Sequence, residues 1–123
     1  MKDYKQLGVW QKARALANLV YQLTRGFPWE EVFGLASQMR RCAVSVPSNL
    51  AEGCGRNHAR DSLQLFFIAR GSLYELETQL YISLDQQYLS QAAFDDAVAL
   101  LVECRRMLSG FINYFQELPP STQ

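Results

Sequence analysis

The chain has 123 residues, 49% apolar and 20% charged, the proportions of a folded protein rather than a disordered or fibrous one. Its length suits a single domain, residues 1–123. Twelve bases balance twelve acids, so net charge gives no support for nonspecific binding to nucleic acid or to a membrane surface. Three cysteines, Cys42, Cys54 and Cys104, lack CxxC spacing and have only His58 to join them, a pattern that predicts no metal and no cofactor.

The first residues hold no apolar core of signal-peptide length, and no window reaches about 18 uninterrupted apolar residues. A cytoplasmic protein with free thiols and no membrane partner is expected. From Leu7 to Phe27 the apolar positions Val9, Ala13, Leu16, Val20, Leu23 and Phe27 alternate by four and three, the signature of an amphipathic helix. Pro28 supplies the backbone angle favoured at a helix start, and Glu30 and Glu31 follow where the helix dipole stabilises acids. A second helix is therefore expected from Pro28, with Val32, Leu35, Met39, Ala43, Val46 and Leu50 on its core seam.

That seam stays in phase across Pro47, which predicts a proline kink within one continuous helix. Gly53, the residue type that accepts a left-handed backbone, is expected to end it, with Gly55 beyond. Asn57 or Asp61 is the expected cap of a third helix, from about His58 to Gln87. Its seam is Phe66, Ala69, Leu73, Leu76, Leu80 and Leu84. After a short link around Tyr88 to Gln91, a fourth helix turns Phe94, Val98, Leu101, Cys104 or Arg105, Leu108, Ile112 and Phe115 inward. Pro119 and Pro120 close it. Four helices on short links, with no alternating strand pattern, predict an all-α, antiparallel up-down four-helix bundle.

Helix three is more apolar than such a bundle requires. Phe67 lies on one flank, with Ile68, Gly71 and Ile82 nearly opposite the seam, and these four are the expected oligomer interface; Gly71 permits close backbone approach. Helix two carries a polar stripe, Gln38, Arg41, Ser45, Asn49 and Glu52, spaced to share one face and expected to be satisfied across a helix or subunit boundary. Arg70, Tyr74 and Glu77, spaced four and three apart, suggest a partly buried arginine–glutamate pair beside a tyrosine.

No catalytic device is visible. His58 falls in a turn, Cys42 and Cys104 lie near apolar seams, and Glu75 and Glu77 point away from each other on a helix. Cys54 is the one thiol expected at the surface, where Arg56 could lower its pKa. No catalytic residue and no small-molecule substrate is expected. Between Gln38 and Arg70 the bases Arg40, Arg41, Arg56, Arg60 and Arg70 outnumber the acids Glu52 and Asp61, and Arg105 and Arg106 join them later. All are arginine, the residue suited to bidentate phosphate contacts, whereas lysine is confined to positions 2, 5 and 12. Arg40, Arg41, Arg56, Arg60, Arg105 and Arg106 are the candidate nucleic-acid contacts.

Several blocks together carry a family resemblance. They are Leu7-Gly-Val-Trp-Gln-Lys-Ala13, Gln38-Met-Arg-Arg41, Ser45-Val-Pro-Ser-Asn-Leu-Ala-Glu-Gly53 and Ala69-Arg-Gly-Ser-Leu-Tyr-Glu-Leu-Glu-Thr-Gln-Leu80. With them the chain resembles the bacterial four-helix-bundle proteins encoded in 23S rRNA intervening sequences, over about Tyr4 to Tyr88. The resemblance implies a left-handed bundle that assembles as a ring, a homopentamer. It also implies a relative, the accessory variability determinant protein of diversity-generating retroelements, a basic pentamer that binds nucleic acid and a reverse transcriptase. The present chain departs from that relative in being neutral.

The expected function is that of a non-enzymatic, ring-forming accessory factor that binds RNA or nucleoprotein. The alternative is a protein-binding scaffold with no nucleic-acid role.

Overall fold

The computed structural model describes residues 3–119 and contains four helices: α1 (Gly8–Thr24), α2 (Leu35–Cys54), α3 (Ala59–Asp85) and α4 (Gln91–Gln116). Two single turns of 3-10 helix, Tyr4–Gln6 and Trp29–Glu31, precede α1 and α2, and no strand occurs among the described residues. Cross-helix contacts give the topology. Ser45 meets Ser72 and Met39 meets Ser83, so α2 and α3 run in opposite directions. Phe66 with Phe115, Glu77 with Arg105, and Tyr81 with Phe94 do the same for α3 and α4. Lys12 reaches Glu103 to join α1 to α4, and Thr24 meets Arg40 while Trp10 lies beside Ala51 to join α1 to α2. The chain is thus an antiparallel up-down bundle.

The core follows the periodicities of the sequence. Leu16 and Val20 of α1, Met39, Val46 and Leu50 of α2, Phe66, Leu73, Leu76 and Leu80 of α3, and Leu101 and Leu108 of α4 are fully enclosed. Each such side chain contributes roughly 1.5–3 kcal/mol on removal from water. In α4 it is Cys104, not Arg105, that faces the core. Pro47 sits inside α2, which is continuous through it. Its ring leaves the Ala43 carbonyl without the usual helical donor. Nearby, Ser45 Oγ donates to the Cys42 carbonyl and Asn49 Nδ2 donates to the Ser45 carbonyl.

Three expectations about helix ends are corrected. First, α2 does not begin at Pro28. Gly34, with φ −112° and ψ −116°, interrupts the chain, and the segment before it is only the short 3-10 turn. Val32, expected in the core, is therefore 53% exposed. The Glu31 carboxylate instead caps the helix proper by accepting from the Leu35 N–H at 3.0 Å.

Second, Gly53 is not a left-handed cap. No glycine among the described residues has a positive φ, Gly53 lies inside α2, and Gly55 follows as C-cap with φ −91°. The demand at Gly53 is steric: a Cβ there would lie 2.9 Å from Phe66 Cδ1 and 3.2 Å from Cζ, and closer still to Cε1.

Third, neither Asn57 nor Asp61 caps α3; His58 occupies the N-cap with no side-chain hydrogen bond. The end of α3 is a Schellman turn, with the Tyr88 N–H on the Ser83 carbonyl and the Gln87 N–H on that of Leu84. Gln87 takes the left-handed position, φ 65°, where glycine is the usual occupant. Ser90 Oγ then caps α4 through the Ala93 N–H. Pro119 follows α4, and Pro120 lies outside the described residues.

Candidate interaction surfaces

The polar stripe of α2 splits in two. Gln38, Arg41 and Ser45 line a recess of about 450 Å³ between α2 and α3, together with Cys42, Ser72 and Glu75. Ser45 Oγ and Ser72 Oγ are hydrogen-bonded to each other across it, and the Cys42 thiol donates to the Ser72 carbonyl at 3.0 Å. Burial, helped by the Glu75 carboxylate, pushes the Cys42 thiol up to about 12, so it stays protonated and unreactive. Asn49 is satisfied within its own helix, while Glu52 turns to Arg56. The recess is thus a bridged helix–helix contact whose outer lip holds Arg41 and Glu75.

The thiols show no sign of activation. Burial raises Cys104 to about 11, and it also raises Cys54, which packs half-buried against the core instead of standing free beside Arg56. His58 is exposed, and no cluster of metal-binding residues occurs among the described residues. None of the described helices is long and apolar enough to cross a membrane.

The expected Arg70–Glu77 pair is corrected. Glu77 accepts from Arg105 of α4 at 2.9 Å, with both side chains about a quarter exposed or less. The Arg105 guanidinium also stands 4.7 Å from the Tyr74 ring centre, whereas Arg70 covers Phe67 at 5.3 Å. Tyrosine and glutamate were the right pair on α3; their arginine comes from the neighbouring helix.

The six candidate nucleic-acid arginines do not form one face. Arg56 is paired with Glu52 and Arg105 with Glu77, while Arg40 donates to Thr24 Oγ1 and covers the Tyr21 ring. Arg41 donates to Ser37, Arg106 is exposed on α4, and Arg60 shares a shallow recess with Arg56, Asp61 and Gln64 at the α2–α3 turn. By helical rise alone, Arg41 and Arg56 stand roughly 20 Å apart along the bundle.

Two apolar patches remain. The outer face of α3 exposes Phe67, Ile68, Tyr74, Tyr81 and Ile82 around Gly71, where an added Cβ would meet nothing within 4 Å. These include all four expected interface residues. The second patch had no counterpart in the sequence reading: Trp29 is 80% and Phe33 96% exposed, and Val32, Tyr21 and Val44 continue it onto α1 and α2. Its signal was Gly34, which cuts these residues off from the helical seam.

The family model of the 23S rRNA-intervening sequence protein matches residues 5–110. The chain belongs to that family. In fold, the chain is similar to a solved Bacteroides thetaiotaomicron VPI-5482 protein, described as of unknown function and from the S23 ribosomal protein family. The two chains are 20% identical with a TM-score of 0.74, over 85% of this chain and 97% of that one. No curated protein matches the chain.

Proposed function

We propose that this chain is a non-enzymatic bundle that assembles into a homopentameric ring and serves as a binding scaffold. The observation that supports it is the pair of exposed apolar patches on a bundle whose own core is already closed. Apolar surface gathered in patches, rather than scattered singly, marks sites of association. The described residues suit a role in binding: burial pushes the cysteines upward, and the single histidine is exposed.

A role as an RNA- or nucleoprotein-binding accessory factor is the second reading. The family's name, with its reference to 23S rRNA, favours it, as does the Arg56–Arg60 recess, which a five-membered ring would present five times at one end. Against it stand the ion pairs that already engage Arg56 and Arg105. Titration with a structured RNA separates the two. The nucleic-acid reading expects a Kd on the order of micromolar at about 50 mM salt, weakening steeply by about 200 mM. It also expects a flatter salt slope in the Arg56→Gln/Arg60→Gln variant. The scaffold reading expects no binding at the lower salt.

A further inference from the structure

We infer that copies of this chain join head to tail, the Trp29–Val44 patch of one copy docking on the outer face of α3 of the next. This rests on the ring reading and adds to it which surfaces meet. A closed ring larger than a dimer needs two different, complementary surfaces on every copy. Apart from Tyr114, the large apolar residues exposed among the described ones fall into two groups, one around Phe33 and one along α3.

The two differ in charge. Arg40 and Arg41 line the first patch, neither within ion-pair distance of an acid among the described residues, while Glu30 adjoins Trp29 at its far end. The α3 face carries Glu75 and Asp85, equally without a basic partner there, along its C-terminal half. Basic rim and acidic half are complementary.

Height along the bundle decides in favour of the pairing. Rotation about a ring axis involves no shift along it, so two surfaces that meet between upright neighbours must lie level. The Ser45–Ser72 and Met39–Ser83 contacts place Val44 level with about Leu73, and Arg40 level with about Ile82. The Arg40–Val44 part of the first patch therefore stands at the height of Tyr74, Tyr81 and Ile82, and the Tyr88–Glu31 hydrogen bond sets Trp29 and Phe33 near the C-terminal end of α3.

The test uses two variants, Phe33→Asp for the first patch and Ile82→Asp for the second, each checked for unchanged helical content and cooperative unfolding. Val44→Asp and Ile68→Asp replace either one that fails this check. Each alone has one intact surface and should scatter as a 14.1 kDa monomer. Mixed in equal amounts they restore one productive interface, and the mass should double. A Phe33→Asp variant that assembles like the wild type, or a mixture that stays monomeric, overturns the pairing while leaving the ring itself standing. A wild-type monomer removes both.

Discussion

Gly53→Ala should destabilise the bundle although it replaces the poorest common helix former with the best. In an open helix interior that replacement contributes about 1 kcal/mol of stability. At Gly53 the new methyl group enters the space of the Phe66 ring, 2.9 Å from Cδ1 and 3.2 Å from Cζ. The ring cannot yield, because Phe66 is fully buried with Phe111 and Phe115 packed edge-on at centroid distances of 5.0 and 5.2 Å. Overfilling a packed core costs about 1–3 kcal/mol. The net expectation is a protein between equally stable and about 2 kcal/mol less stable than the wild type.

Gly110→Ala is the control, since Gly110 lies inside α4 and an added Cβ meets nothing within 4 Å. It should gain up to about 1 kcal/mol, leaving the two variants about 1–3 kcal/mol apart. In urea, where the slope for a small protein is about 1–3 kcal/mol per molar, the midpoints should differ by about 1 M. All samples are unfolded at one protein concentration, because assembly shifts apparent stability. Adding Phe66→Leu to Gly53→Ala should recover part of the loss, as the two sites share one space. Midpoints for Gly53→Ala and Gly110→Ala that coincide would refute the steric account.

Gln87→Gly should stabilise the protein by about 1 kcal/mol in the same assay, because Gln87 holds a left-handed φ of 65° that costs a side-chain-bearing residue roughly 1–2 kcal/mol. Ser90→Ala should cost about 1 kcal/mol through loss of the Ala93 N–H cap. Hydrogen bonds from the Leu35 N–H, first, and from the Tyr88 hydroxyl hold the Glu31 carboxyl below its ordinary range. Its contribution is therefore present at neutral pH and lost as pH falls through and below the ordinary glutamate range, so Glu31→Gln should flatten the acid limb of a thermal-stability profile. Alkylation of the native protein near pH 8 should spare Cys42 and Cys104, held at about 12 and 11, and label both after unfolding.

The bundle was legible in the sequence because every helix buries one stripe, and a stripe leaves its period in the residues. Met39, Val46, Leu73 and Leu101 all lie where that period puts them. Gly53 was misread because a glycine near a helix end has two uses, backbone freedom and lack of bulk. Only the position of Phe66, across the α2–α3 turn, distinguishes them. The Arg105–Glu77 pair was equally out of reach, since spacing along one helix favours Arg70 and carries no record of which neighbour faces it. On the candidate surfaces, the α3 patch was visible as apolar excess on the wrong side of a helix. The Trp29–Phe33 patch was hidden by Pro28, which reads as a helix start while the chain delays the helix to Leu35.

Self-assembly is the claim on which both the proposed function and the pairing of surfaces depend. Light scattering of the wild-type protein at micromolar concentration, coupled to size separation, tests it without any variant or ligand. A homopentamer predicts a single species of five times 14.1 kDa. A species of 14.1 kDa would contradict it.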